Sequence, residues 1–239
     1  MFFAVFFVTG LSVVRDYGVH WDEFNSHEFG FRWYQYAYNV IVQGHSLEPL
    51  ENESQADIIH GPVIEMLYAF LADKVFHLND SRKIIFLRHY ATWLVFYIGV
   101  IFFYFLCKRH FSDRTIALLG CLFLVLHPRI FANSFYDSID ISLLSFYIIS
   151  LYTLVRYMQT KTAGSAILHA FASAMLIDIR SIGIVIPFLS YLIFLWDLGE
   201  IRHDKGKAVR DVRSIFIYTL LLIFFVILFW PYLWRNPFS

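Results

Sequence analysis

The sequence predicts an all-α fold, a polytopic membrane helical bundle of about seven transmembrane helices with interfacial helices in a long first outer loop. Three observations carry that prediction. Hydrophobic residues make up 59% of the 239 and aromatic ones 20%, with a mean hydropathy of +0.58. These apolar residues are gathered into blocks separated by short charged loops. Two blocks, 141–155 and 215–230, contain no charged residue, whereas the helices of a soluble chain of this size would carry polar stripes. No stretch is left for a separate soluble domain, so residues 1–239 read as a single transmembrane module.

Residues 1–14 are apolar throughout, but at ~1.5 Å per residue they cover only about 21 Å of a roughly 30 Å hydrocarbon core. No basic residues precede the run and no small-residue cleavage site follows it, so it is expected to stay as a short anchor rather than be removed as a signal peptide. The next stretch, 15–59, is polar and acidic. It opens with Asp16, Asp22, Glu23 and Glu28 interleaved with His20 and His27, and continues into the aromatic run 31–38, as amphipathic interfacial helices do. Taken alone, such a loop is equally a solvated acidic connection.

The segment 60–76 carries Glu65, Asp73 and Lys74 and reads either as a span or as an interfacial helix. Loop charge decides between them. With an interfacial helix, ten basic residues fall in three inner loops (Lys108, Arg109, Arg114; Arg156, Lys161; Arg202, Lys205, Lys207, Arg210, Arg213), against Arg129, Arg180 and Arg235 at short outer ends. The positive-inside bias selects that topology. Arg82, Lys83 and Arg88 then lie outside and count against it, although they close a long loop, about 15–87, where the bias is weak. Spans follow at 88–107, 115–131, 139–156, 163–178, 181–197 and 214–231. Cys107 and Cys121 show no metal or redox spacing and read as packing residues.

Formal net charge is zero, so only the placement of charge is informative, and no nucleic-acid partner is implied. There is no glycine-rich dinucleotide loop, P-loop or zinc-protease motif. The charges that matter collect on one predicted face. Asp137 and Asp140 open a span; Asp137 is placed to cap the helix, while Asp140, in the first turn, together with Asp22 and Glu23 suits a general base with a supporting acceptor, or a metal site. Arg129 and Arg180 run against the positive-inside bias, and arginine recognises phosphate through a planar fork. A snorkelling Arg129 and a structural Arg180–Asp178 pair are the plainer readings. His60 is a third candidate, although a lone loop histidine is more often not a ligand.

Those residues together resemble the N-terminal membrane module of the GT-C class of glycosyltransferases, the protein O-mannosyltransferase and aminoarabinose transferase superfamily. The marks are Trp21-Asp22-Glu23, His60-Gly61-Pro62, Leu87-Arg88, His127-Pro128-Arg129 with Asp140 further on, Arg180 before Gly183, and Trp230-Pro231-Tyr232. Gly61 and Ser142 stand where the superfamily usually has proline, and further C-terminal helices are expected in its members beyond the point where this chain stops. The resemblance implies sugar transfer from a polyprenyl-phosphate donor to an acceptor hydroxyl of a lipid, glycan or protein at the outer or lumenal face. It implies Asp22 as base, Glu23 and Asp140 as supporting acids, and Arg180, Arg129 and His60 as holders of the phosphate. No cofactor is required; a divalent ion on the acids is the alternative, without the His/Cys cluster that marks a metal site. A multi-pass protein of a cell inner or plasma membrane, or of the endoplasmic reticulum, follows. The competing readings are a transporter or lipid-binding subunit, which would place charge deep within spans, and an inactive fragment.

Overall fold

The structure, a computed structural model, describes residues 1–47, 60–200 and 205–235. Parts of the expected outer loop (48–59) and of the basic loop (201–204) lie outside the described residues. The described chain is helical, without strands: α1 (Phe2–Val13), α2 (Glu23–Gln43), α3 (Val63–Phe70), α4 (Ser81–Phe111), α5 (Arg114–Leu126), α6 (Pro128–Tyr136), α7 (Ser138–Thr160), α8 (Ala163–Ile179), α9 (Val185–Glu200), α10 (Lys205–Phe229) and α11 (Tyr232–Arg235). A helical membrane bundle is therefore the correct class.

The boundaries follow from local chemistry. Asp80 starts α4 by accepting the Arg82 N–H, and Lys108, Arg109 and His110 fill its last turn, where the helix dipole favours cations. Asp113 starts α5 through the Thr115 and Ile116 amides. Proline at 128 disfavours helical backbone in the residue before it, and His127 is extended; α6 then leaves α5 at 68°. The expected span 115–131 is thus corrected to a broken pair. Hydropathy averages over such a break, while a single proline makes it.

Among the described residues, three helices are long and apolar enough to cross a membrane, Ser81–Phe111, Ser138–Thr160 and Val209–Phe229, or four with the bent pair. They contain the expected spans 88–107 and 139–156 and all but the last two residues of 214–231. The expected total of seven is not reached on this criterion, because α1, α8 and α9 are short. The segment 60–76 forms α3 with a π-helical turn, Leu71–Val75, and at ~1.5 Å per residue its thirteen residues reach about 20 Å, too little to span. Arg88, expected as an outer cation at the point where the loop meets the span 88–107, instead lies two turns inside α4, 1% exposed.

The described residues fall into two compact units, one made of 1–47 and 62–148 and the other of 60–61, 149–200 and 205–235. In the first, Trp93 and Phe96 of α4 pack with Phe6, Phe135, Cys121 and Val125. Gly30 lets α2 approach the α3 backbone at Glu65 closer than any side chain would allow. In the second, Ala166, Ala170 and Ala174 give α8 a small-residue face against Ile215, Tyr218 and Leu222 of α10. His169, the mid-span histidine, is fully enclosed there. Its Nδ1 lies 3.0 Å from Thr153 Oγ1 and its Nε2 2.8 Å from Ser190 Oγ, and the ring clusters with Tyr157 at 5.6 Å and Tyr218 at 4.9 Å, which also pack on each other. Lys161 joins α9 to α10 at the end of α7, 2.9 Å from Asp197 and 2.6 Å from Asp211.

Candidate active site

Asp22 is the N-cap position of α2 without acting as a cap. Its backbone is helical (φ −96°, ψ −5°) instead of extended, and its side chain accepts no backbone N–H. The Asp22 N–H donates to His20 Nδ1 at 3.4 Å, and one carboxylate oxygen accepts from the Asn25 side-chain amide at 3.3 Å. The group is half-buried. A carboxylate that a helix end would ordinarily consume is left available for chemistry.

Glu23, one residue on, is enclosed at 4% exposure. Its two oxygens lie 3.1 and 3.2 Å from His89 Nε2, and Oε1 is 3.7 Å from Arg88 Nε. Arg88 reaches a second buried acid, Glu65, at 2.6 Å. Ser138 closes the group by donating to Glu65 Oε1 at 2.5 Å while accepting from Arg88 at 3.3 Å. Two carboxylates, a guanidinium, an imidazole and a hydroxyl so join α2, α3, α4 and α7. Burying such charges is costly unless opposite charges meet, and here Arg88 lies between the two acids, while His89 Nδ1 is left without a hydrogen-bond partner among the described residues.

Asp140 belongs to the first turn of α7. Its backbone N–H donates to Asp137 Oδ1 at 3.0 Å, the cap anticipated from sequence, and its side chain is exposed. The loop before Asp22 is held against the end of α6 by aromatic stacking, Tyr17 on Phe135 at 4.4 Å and His20 on Tyr136 at 5.3 Å. Phe135 stacks in turn on the enclosed Trp93. Asp22 and Asp140 therefore occupy neighbouring helix N-termini at one end of the first unit, tied through Glu23, Arg88 and Ser138. Arg129 is not drawn to them: it is exposed in the first turn of α6, about 10 Å along that helix from Tyr136.

His60 and Arg180 lie together in the second unit. Burial, and then the Arg180 guanidinium, hold the His60 imidazole below its ordinary pKa, so at neutral pH it offers an N–H rather than a charge. The adjacent Gly61 donates its N–H to the Asp178 carbonyl at 2.8 Å, and a Cβ at this position would overlap the Asp178 carboxylate. Glycine in place of the superfamily's proline is thereby explained, since proline would bring a ring into that carboxylate and remove the donor. Gly61→Ala is expected to destabilise the fold by about 1–3 kcal/mol, the usual result of overpacking. Thermal unfolding in detergent checks this; an unchanged melting temperature would show that Asp178 moves freely.

Sequence reasoning singled out Asp22, Glu23 and Asp140 but did not anticipate Glu65, Arg88, His89 and Ser138 as a group around Glu23. A signal was present in Glu65 and Arg88, two opposite charges at the edges of apolar runs, where an unpaired charge is unstable. Among the described residues no three His, Cys, Asp or Glu side chains gather as metal ligands. A family model described as dolichyl-phosphate-mannose-protein mannosyltransferase matches residues 60–234, well over half of the chain. No curated protein and no solved structure gives a significant match.

Proposed function

Because the chain belongs to the dolichyl-phosphate-mannose-protein mannosyltransferase family, membrane glycosyltransferases that draw on a polyprenyl-phosphate sugar, we propose that it moves such a sugar onto an acceptor hydroxyl at the outer or lumenal face, with Asp22 as base. The observation that carries the base is the half-buried Asp22 carboxylate, unspent by capping. The family match begins at His60, so the roles of Asp22 and Glu23 rest on this geometry and on the motif around them.

In the proposed reaction Asp22 takes the proton of the acceptor hydroxyl as its oxygen bonds to the anomeric carbon. The bond from that carbon to the phosphate oxygen breaks, and its electron pair leaves on the lipid phosphate. Inversion at carbon follows from the direct displacement. Charge grows on the phosphate, so cations aimed at it stabilise the transition state more than the bound donor. Arg180 is the leading candidate for that task, with the His60 N–H beside it and Arg129 as a further cation. Asp140 would orient the sugar or the acceptor. Glu23, enclosed by Arg88 and His89, fits a supporting role that does not touch substrate.

With dolichyl-phosphate mannose as donor probe, Arg180→Lys is expected to raise the donor KM moderately, because charge is kept and the planar fork lost, and Arg180→Ala to raise it further. A structural pairing with Asp178 predicts another pattern, in which changing both residues restores what the single change removed. Parental donor use in the double variant would exclude the phosphate role.

A further inference from the structure

Asp22 needs a reason for not capping α2. Aspartate at this position ordinarily adopts an extended backbone and accepts from an amide two or three residues on, here Phe24 or Asn25, with a gain of roughly 0.5–2 kcal/mol. A carboxylate so engaged holds its proton less well and makes a poorer base. In this chain the backbone of Asp22 is instead helical, and three contacts from one residue enforce it. His20 Nδ1 accepts the Asp22 N–H at 3.4 Å; the His20 carbonyl accepts the Glu23 N–H at 3.1 Å; and the His20 N–H donates to Glu23 Oε2 at 3.4 Å. The His20 ring is itself fixed, lying on Tyr136 at 5.3 Å with 13° between planes. Tyr136 packs with Tyr17, and Tyr17 stacks on Phe135 above the enclosed Trp93.

We infer that His20 is a positioning residue: braced on the aromatic stack of α6, it holds Asp22 out of the capping geometry and so keeps the carboxylate free for the acceptor proton. The inference rests on Asp22 being the base. It assigns the proton of the His20 ring to Nε2, since Nδ1 serves as acceptor. It also separates two functions within the residue, the acceptor nitrogen and the flat ring, which different substitutions remove independently.

The test uses the full chain in detergent, with dolichyl-phosphate mannose as donor, a serine/threonine peptide as acceptor, and amide hydrogen exchange at Phe24 and Asn25. His20→Phe keeps the stack and loses the acceptor. It should lower kcat on the order of 10²-fold, as a misplaced catalytic group does, leave the donor KM unchanged, and slow exchange at those two amides as Asp22 swings in to cap them. His20→Asn presents an amide oxygen where Nδ1 stood and should recover much of kcat and the parental exchange. Melting temperature should hold or rise in His20→Phe, whereas a purely structural histidine would lower it. Parental exchange rates in His20→Phe, or an Asn variant no better than Phe, would overturn the inference. If Asp22→Asn itself leaves transfer intact, the base assignment fails instead, and the exchange data still decide whether His20 restrains Asp22.

Discussion

Asp22→Asn is expected to lower sugar transfer by ~10²–10⁴-fold, the usual contribution of a general base, while membrane insertion and folding stay parental. The substitution removes the proton acceptor and keeps shape. Because Asp22 does not cap α2, the helix loses no side-chain bond to the backbone and the loss falls on chemistry alone. Release of labelled sugar from dolichyl-phosphate mannose measures it, with the membrane-extracted yield as the folding control. Activity within a few-fold of the parent would move the role to Asp140, the other acid at that end of the unit. It would not move to Glu23, whose oxygens face Arg88 and His89 inside the protein.

The second large effect belongs to Arg88→Ala. It leaves Glu65 without its cation and Glu23 with only His89 and the His20 N–H, both acids enclosed. Removing one partner of a buried ion pair costs about 3–5 kcal/mol, a large part of the roughly 5–15 kcal/mol by which a domain is stable. A strongly lowered melting temperature in detergent is expected. Arg88→Met combined with Glu65→Leu removes both charges of the shorter contact and should recover most of the loss, since no isolated charge remains. A double variant as unstable as the single one would mean that packing of the Arg88 stem, rather than charge, carries the effect.

The same buried group shows where sequence reasoning succeeds and where it stops. Hydropathy located α4, α7 and α10 because long uncharged runs have few other solutions. The cap at Asp137 was legible because capping is local, decided within three residues. Arg88 was misplaced for the opposite reason. A cation at the edge of an apolar run reads equally as the end of a loop or the start of a helix, and the choice depends on acids supplied by α2 and α3, distant along the chain. The break at His127 has its cause in Pro128, but a span drawn from hydropathy does not register backbone geometry. For the site, the residue types at 22, 140 and 180 pointed to base, acid and phosphate holder. That Asp22 leaves the helix end uncapped depends on a backbone angle, and no pattern of letters records it.

The enclosed His169 has a consequence of its own. Thr153 donates its hydroxyl proton to the Ser150 carbonyl and Ser190 donates to the Ile186 carbonyl, so both hydroxyls turn lone pairs toward the ring. An imidazole with one N–H cannot satisfy two acceptors, and one hydroxyl must swing its proton off its carbonyl and onto the ring. Which of the two swings is set by the tautomer, and exchanging tautomers exchanges the roles of Thr153 and Ser190 with no heavy atom displaced. The middle of the second unit thus admits two proton arrangements on the same set of heavy atoms, told apart only by which hydroxyl faces its carbonyl.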